Sequence, residues 1–161
     1  MAIADTRGRL ELTVPIAKPD SSHSARWADI ALSDHGNWWA VHFTALESAY
    51  GRTPFFEFYA DRFAPLYADF PGGSAVDFDA RIEAVICDIL DIKAPRRDAA
   101  LSERPTALKP CQLPYWQVRA DKLGFIPGLS ILDLIFNLGP DAQLFLFDCA
   151  RSGISSDIIT P

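Results

Sequence analysis

A chain of 161 residues fits one domain of ordinary size. It is 49% hydrophobic and 12% aromatic, with 22% charged residues and a mean hydropathy of +0.06, so it can bury a core and still keep apolar surface for a partner segment or chain. The net charge of −6 and a pI of about 4.9 leave no basic face for a nucleic acid. No apolar run approaches the ~20 residues of a membrane span, and the opening MAIADTRGRLELTV has no signal-peptide core, so a cytoplasmic protein is expected.

Residues 9–17, RLELTVPIA, alternate and are rich in Leu, Val and Ile, which predicts a strand closed by Pro15 and Pro19. The loop-like stretch after it contains Trp27, Ile30 and Leu32, a short apolar patch that reads as an edge strand. Asn37 as N-cap and Gly51 as the residue past the end bracket a helix over residues 38–50. Its positions 38, 42, 45, 46 and 49 share one face, and Trp39, Phe43 and Tyr50 an adjacent one, so burial on more than one side is expected.

Thr53-Pro54 should open a second helix, with Thr as N-cap and Pro at the first helical position. Pro65 should kink or split it, because proline cannot donate the ladder hydrogen bond. PGGS at 71–74 is a turn. A third helix, capped by Asp77 or Asp79, should run to about Leu90 with Ile82, Val85, Ile86, Ile89 and Leu90 as its core stripe. Residues 94–114 carry four prolines, and the basic cluster Lys93, Arg96, Arg97, Arg104 and Lys109, diluted by Asp98 and Glu103, reads as a solvated linker. Ser130 and Asp133 resemble a capping box ahead of a short helix over 131–137 that stops at Gly139. Pro140 precedes a last helix, DAQLFLFDCA, and residues 151–161 look like a tail.

The strand at 10–16 has few candidate partners within the chain, so it should draw them from loops or from a segment that this chain lacks. Cys87, Cys111 and Cys149 are odd in number and lack C-x-x-C spacing, which argues against a disulfide framework and a zinc ribbon. Cys87 sits in an apolar helical pattern and reads as a core thiol. His23, His35 and His42 form no helical H-x-x-x-H pair beside an acidic set, so no metal site is expected. Phosphate-binding glycine loops and the G-x-S-x-G elbow are both missing.

His35 with HGNWWA imitates a His-x4-acid acyltransferase dyad, but Ala40 stands where the carboxylate is needed. His42 and Glu47 have that spacing, yet on a helix they diverge by about 140° at ~100° per residue. His42 lies on the face meant for burial, one turn from Trp38 and Leu46. It is either a core histidine hydrogen-bonded to backbone or carboxylate, or a neutral imidazole at a pocket wall. Trp27, Trp38, Trp39 and Trp116 suit either core packing or the apolar faces of a sugar. Asp133 and Asn137 stand one turn apart, opposite much of Leu132, Ile135 and Phe136, placed to brace a loop or to meet a ligand.

Taken in order, LTVPI at 12–16, NW-x-x-x-H at 37–42, LESAYGRTPFFEFYAD after it, PYWQV at 114–118 and GFIPGLSILDLIFNLGP at 124–140 resemble the WbqC-like protein family over about residues 10–145. Members known to begin further upstream carry another strand and an Asn-Arg pair there, so the resemblance implies a chain lacking the family's N-terminal segment. Trp39-Ala40-Val41 also stands where polar or basic residues are common in similar proteins. The resemblance implies a bacterial protein of surface-polysaccharide (O-antigen) assembly, with acyl or aminoacyl transfer onto a sugar as a working idea. On the motif positions it assigns His42 as general base and Asp133 as its orienter or a substrate anchor. Trp38, Tyr50, Gln117 and Asn137 would bind substrate, and no cofactor is specified.

The fold expected is a single α+β domain over residues 1–161, helix-dominated, with a small strand or ribbon element near the N-terminus. Two functions compete. One is a group transferase acting on a small-molecule or glycan-precursor substrate. The other is a non-enzymatic binding or scaffold module, or an inactive fragment of a larger fold, with homo-oligomerisation through the N-terminal strand.

Overall fold

The computed structural model describes residues 1–18, 29–94 and 113–155, the last four of these in backbone only. Trp27, the prolines and basic residues of 95–112, Cys111 and the end of the tail lie outside the described residues. The fold is α+β and helix-dominated. Among the described residues two strands, β1 (Ala2–Asp5) and β2 (Gly8–Glu11), precede six α-helices: α1 (Trp38–Tyr50), α2 (Phe56–Tyr67), α3 (Ala75–Ile89), α4 (Ala120–Leu123), α5 (Ile131–Leu138) and α6 (Asp141–Ser155).

The strand expected at 9–17 is shorter and finds its partner directly upstream. β1 and β2 form an antiparallel hairpin with Ile3 opposite Leu10 and Ala4 opposite Arg9. AIAD has little β-propensity, and its pairing comes from tertiary burial, since Ala2, Ile3 and Ala4 are all buried. Ile16 keeps only an isolated bridge to Leu32, and Ala31 one to Ser74.

The outer edge of β1 is used within the chain. Ala2 O accepts from the Ser130 N–H at 2.8 Å, and the Ala4 N–H donates to the Tyr50 hydroxyl at 3.2 Å. Both groups thus have partners within the chain. β2 carries exposed Arg9 and Glu11 as an ion pair on the other side, charge of the kind that discourages edge pairing.

α1 has the expected bounds, but its caps work differently. Asn37 adopts a left-handed conformation (φ 47°) and makes no side-chain cap bond. Gly51 is right-handed (φ −57°). Its need for glycine is steric, because a Cβ there would stand 2.7 Å from Glu47 O. Thr53 does not start α2. Its hydroxyl donates to Tyr50 O at 2.7 Å and closes the end of α1. One stripe of α1 is fully buried (Trp38, His42, Leu46, Ala49, Tyr50), with Trp39 and Phe43 half-buried beside it.

α2 runs unbroken through Pro65. Pro65 and Asp61 are both exposed, so the carbonyl that loses its donor faces water and the usual cost of an interior proline falls. α3 starts earlier than its aspartates suggest. Ser74 is the N-cap and accepts from the Asp77 N–H at 3.1 Å, while its hydroxyl donates to the Asp77 carboxylate at 2.8 Å, so the serine half of a capping box is present and the carboxylate binds the hydroxyl. Of the expected α3 stripe only Leu90 is fully buried, the isoleucines and Val85 packing as its half-buried margin.

The core centres on α5. Residues 132–137 are all buried, and the Phe136 ring meets Tyr50 at 5.2 Å, Phe56 at 5.0 Å and Phe63 at 5.8 Å. A helix buried all round puts its polar residues inside as well, which is how Asp133 and Asn137 come to be interior groups. Cys87 is a buried free thiol, whereas Cys149 is disulfide-bonded, contrary to what the cysteine count suggested. Among the described residues no helix is long and apolar enough to cross a membrane.

Candidate functional site

Asp133 is 1% exposed and accepts three side-chain hydrogen bonds. Tyr50 from α1 donates to Oδ1 at 2.8 Å. Tyr115 donates to Oδ2 at 2.6 Å, and Gln117 Nε2 to the same oxygen at 3.1 Å. Ser130 sits at the N-cap position as expected, but its side chain makes no cap bond. The Asp133 carboxylate is turned away from the capping box toward these donors.

Two of these donors, Tyr50 and Gln117, are themselves fixed by hydrogen bonds to backbone. The Tyr50 hydroxyl accepts from Ala4 N. Gln117 reads the backbone of Ile126 with both ends of its amide, donating to Ile126 O at 3.0 Å and accepting from Ile126 N at 2.9 Å. Asn137 donates to Asp133 O at 2.7 Å and accepts from Val118 N at 2.9 Å. The network thus ties β1, α1, the segment 115–126 and α5 to one carboxyl group.

Burial drives the electrostatics. Desolvation raises the Asp133 pKa above the ordinary carboxylate value, opposed by the hydrogen bonds from Tyr115, Tyr50 and Gln117. Both phenols are pushed up, first by burial and then by the Asp133 charge, so they remain proton donors. None of the ion pairs among the described residues involves Asp133.

A small cavity opens against this cluster. Tyr50, Gln117, Arg119, Asp133 and Asn137 supply the polar part of its wall, and its volume is about 10 Å³, the scale of one water molecule. Arg119 Nη2 donates to the carbonyls of Ala49 at 2.8 Å and Ser48 at 3.4 Å, at the end of α1. Arg119 Nε is buried without a partner.

Four of the six sequence-predicted site residues therefore meet here: Tyr50, Gln117, Asp133 and Asn137. His42 and Trp38 do not. His42 is 3% exposed, and its Nε2 lies 3.2 Å from Thr13 O, to which it donates. Trp38 and Tyr67 flank its ring at 5.2 and 6.3 Å. Burial lowers its pKa, the Thr13 bond opposing. His42 and Tyr50 are eight residues apart on α1, roughly 12 Å along the axis, so Asp133 does not orient His42. Trp38 donates its indole N–H to Ser33 O at 2.8 Å and packs on Phe78.

Tyr115 and Arg119 were missed. A signal for Tyr115 was present in PYWQV, where Tyr115 and Gln117 turn inward and Trp116 between them is 54% exposed, the period-2 pattern of an extended segment. Arg119 had no such signal, since its partners are backbone carbonyls. Among the described residues no group of three or more His, Cys, Asp or Glu could hold a metal ion.

Fold and site together define a helical α+β protein built around a buried, phenol-bound carboxyl group. The chain belongs to the WbqC-like protein family, whose model matches residues 1–107. The matched span begins at the hairpin and contains α1 to α3, while Gln117, Asp133 and Asn137 lie beyond it. No curated protein and no solved structure matches the chain.

Proposed function

We propose that this WbqC-like protein is a group transferase of surface-glycan assembly in which Asp133 is the acid–base residue. The observation that carries this reading is the Asp133 carboxyl itself: buried, raised in pKa, held by Tyr50, Tyr115 and Gln117, and lining a small cavity. A desolvated carboxyl with a specific donor set at a cavity is what general acid–base work requires.

In the transfer, the acceptor O–H bond breaks and its proton goes to Asp133. The acceptor oxygen bonds to the carbonyl carbon of an activated acyl or aminoacyl donor. The bond to the leaving group then breaks, and that group takes the proton from Asp133. The sugar acceptor and acyl donor come from the family resemblance. His42 has no part in this step and serves as a core residue.

A second reading, a binding or scaffold module, is favoured by a different observation. The polar groups that meet Asp133 are satisfied within the chain, and the cavity is the size of one water. Thermal-shift titration with acyl-CoA and nucleotide sugars separates the two, using wild type, Asp133→Asn and His42→Gln. The transferase reading expects a ligand-induced shift in wild type and His42→Gln that Asp133→Asn loses. The scaffold reading expects no ligand shift in any of them.

A further inference from the structure

The geometry points to a binding site for a single hydroxyl-type oxygen between Arg119 and Asp133. Two groups around the cavity keep unused hydrogen-bonding capacity. A carboxylate offers about four acceptor positions. Tyr115 and Gln117 use two on Oδ2, and Tyr50 uses one on Oδ1, which leaves one on Oδ1. Gln117 has spent both amide N–H groups, on Ile126 O and Asp133 Oδ2. Arg119 Nε is buried and unpaired, and Arg119 and Asp133 line the same cavity.

An unpaired buried donor is costly, and a nearby acceptor is the usual remedy. An O–H group meets both needs: its oxygen accepts from Arg119 Nε, and its proton is donated to Asp133 Oδ1. A carboxylate or phosphate ligand would satisfy Arg119 but set a second negative charge against Asp133. An ammonium would satisfy Asp133 and leave Arg119 Nε bare. The volume of about 10 Å³ admits one oxygen atom. Water and the hydroxyl of an acceptor alcohol share this chemistry. The site rests on the reading of Asp133 as the reacting carboxyl only for its functional meaning, since it would mark where the acceptor oxygen loses its proton.

A high-resolution crystal structure of the wild-type protein tests it without turnover. The expected result is an ordered oxygen within about 3.2 Å of both Arg119 Nε and Asp133 Oδ1. Finding Arg119 Nε bonded directly to a protein carbonyl, or an oxygen touching only one of the two groups, overturns the site. A methanol soak distinguishes the sources: density for a methyl group on that oxygen shows that an alcohol enters, and an unchanged sphere shows water. Arg119→Lys keeps the charge but removes Nε, and should lose the oxygen; should that variant not fold, the wild-type density still decides. An ordered oxygen together with unaltered ligand binding in Asp133→Asn would retain this site while removing the transferase reading.

Discussion

Tyr50 donates its hydroxyl proton to Oδ1 of Asp133 at 2.8 Å and accepts the Ala4 N–H at 3.2 Å with the same oxygen. One phenol thereby closes the free edge of β1 and supports the buried carboxyl group of α5.

Tyr50→Phe removes one atom and leaves both of its partners buried without it. The variant should lose about 1–3 kcal/mol, the range for leaving a buried polar group unsatisfied. Urea denaturation monitored by tryptophan fluorescence reads the change, and amide exchange at Ala4 should accelerate with it. An unchanged midpoint would mean that water replaces the hydroxyl without cost.

Asp133 gives a pH dependence of unusual sign for a carboxyl group. Its pKa is raised above the ordinary 3.8, so in the window above 3.8 the folded state holds more proton than the unfolded state. The stability it contributes is fully present below 3.8 and declines as pH rises from there through the raised folded value. Relative to Asp133→Asn, wild type should therefore lose stability over that window. Parallel pH profiles of the two proteins would contradict the expectation.

His42 works in the opposite direction. Its pKa is lowered from 6.5 by burial, so the unfolded state binds the proton more readily. Stability is fully present above 6.5 and falls as pH drops from 6.5 through the lowered folded value. His42→Gln should flatten this slope, and denaturation midpoints on either side of 6.5 measure it. Asp133→Asn should leave the His42 slope in place, because the two groups share no contact.

Gly139 ends α5 at φ 56°, and a Cβ there would stand 2.4 Å from the Phe55 ring. Gly139→Ala combines a disfavoured backbone with overpacking and should cost more than ~1 kcal/mol, up to about 3. Thermal unfolding followed by circular dichroism reads it. Adding Phe55→Leu should return part of the loss, since the added methyl then meets a smaller neighbour.

What was legible in the sequence follows from local physics. The apolar period and the small residue at 51 define α1 to its observed ends, and the run 131–138 with Gly139 defines α5 to within a residue. The pairing of Asp133 with Asn137 on one helical face was also readable from spacing alone. β1 was not, because AIAD carries no strand signal beyond its burial, and burial is conferred by α1 and α5. Ser74 does not read as a cap because it lies inside a PGGS turn, where a cap and a turn residue look alike.

From the sequence come an acidic, helix-rich α+β chain of the WbqC-like type and six candidate side chains, His42, Trp38, Tyr50, Gln117, Asp133 and Asn137. Only the tertiary structure decided which of them meet. Helical spacing ranks residues by face, and it placed His42 and Tyr50 on neighbouring faces of α1 with nothing to choose between them. Two turns of helix separate them, and the elements that approach α1 differ along its length. The segment carrying Thr13 reaches the level of His42, while β1, α5 and residues 115–119 converge at the level of Tyr50. That convergence makes Asp133 the centre of the site and leaves His42 in the core.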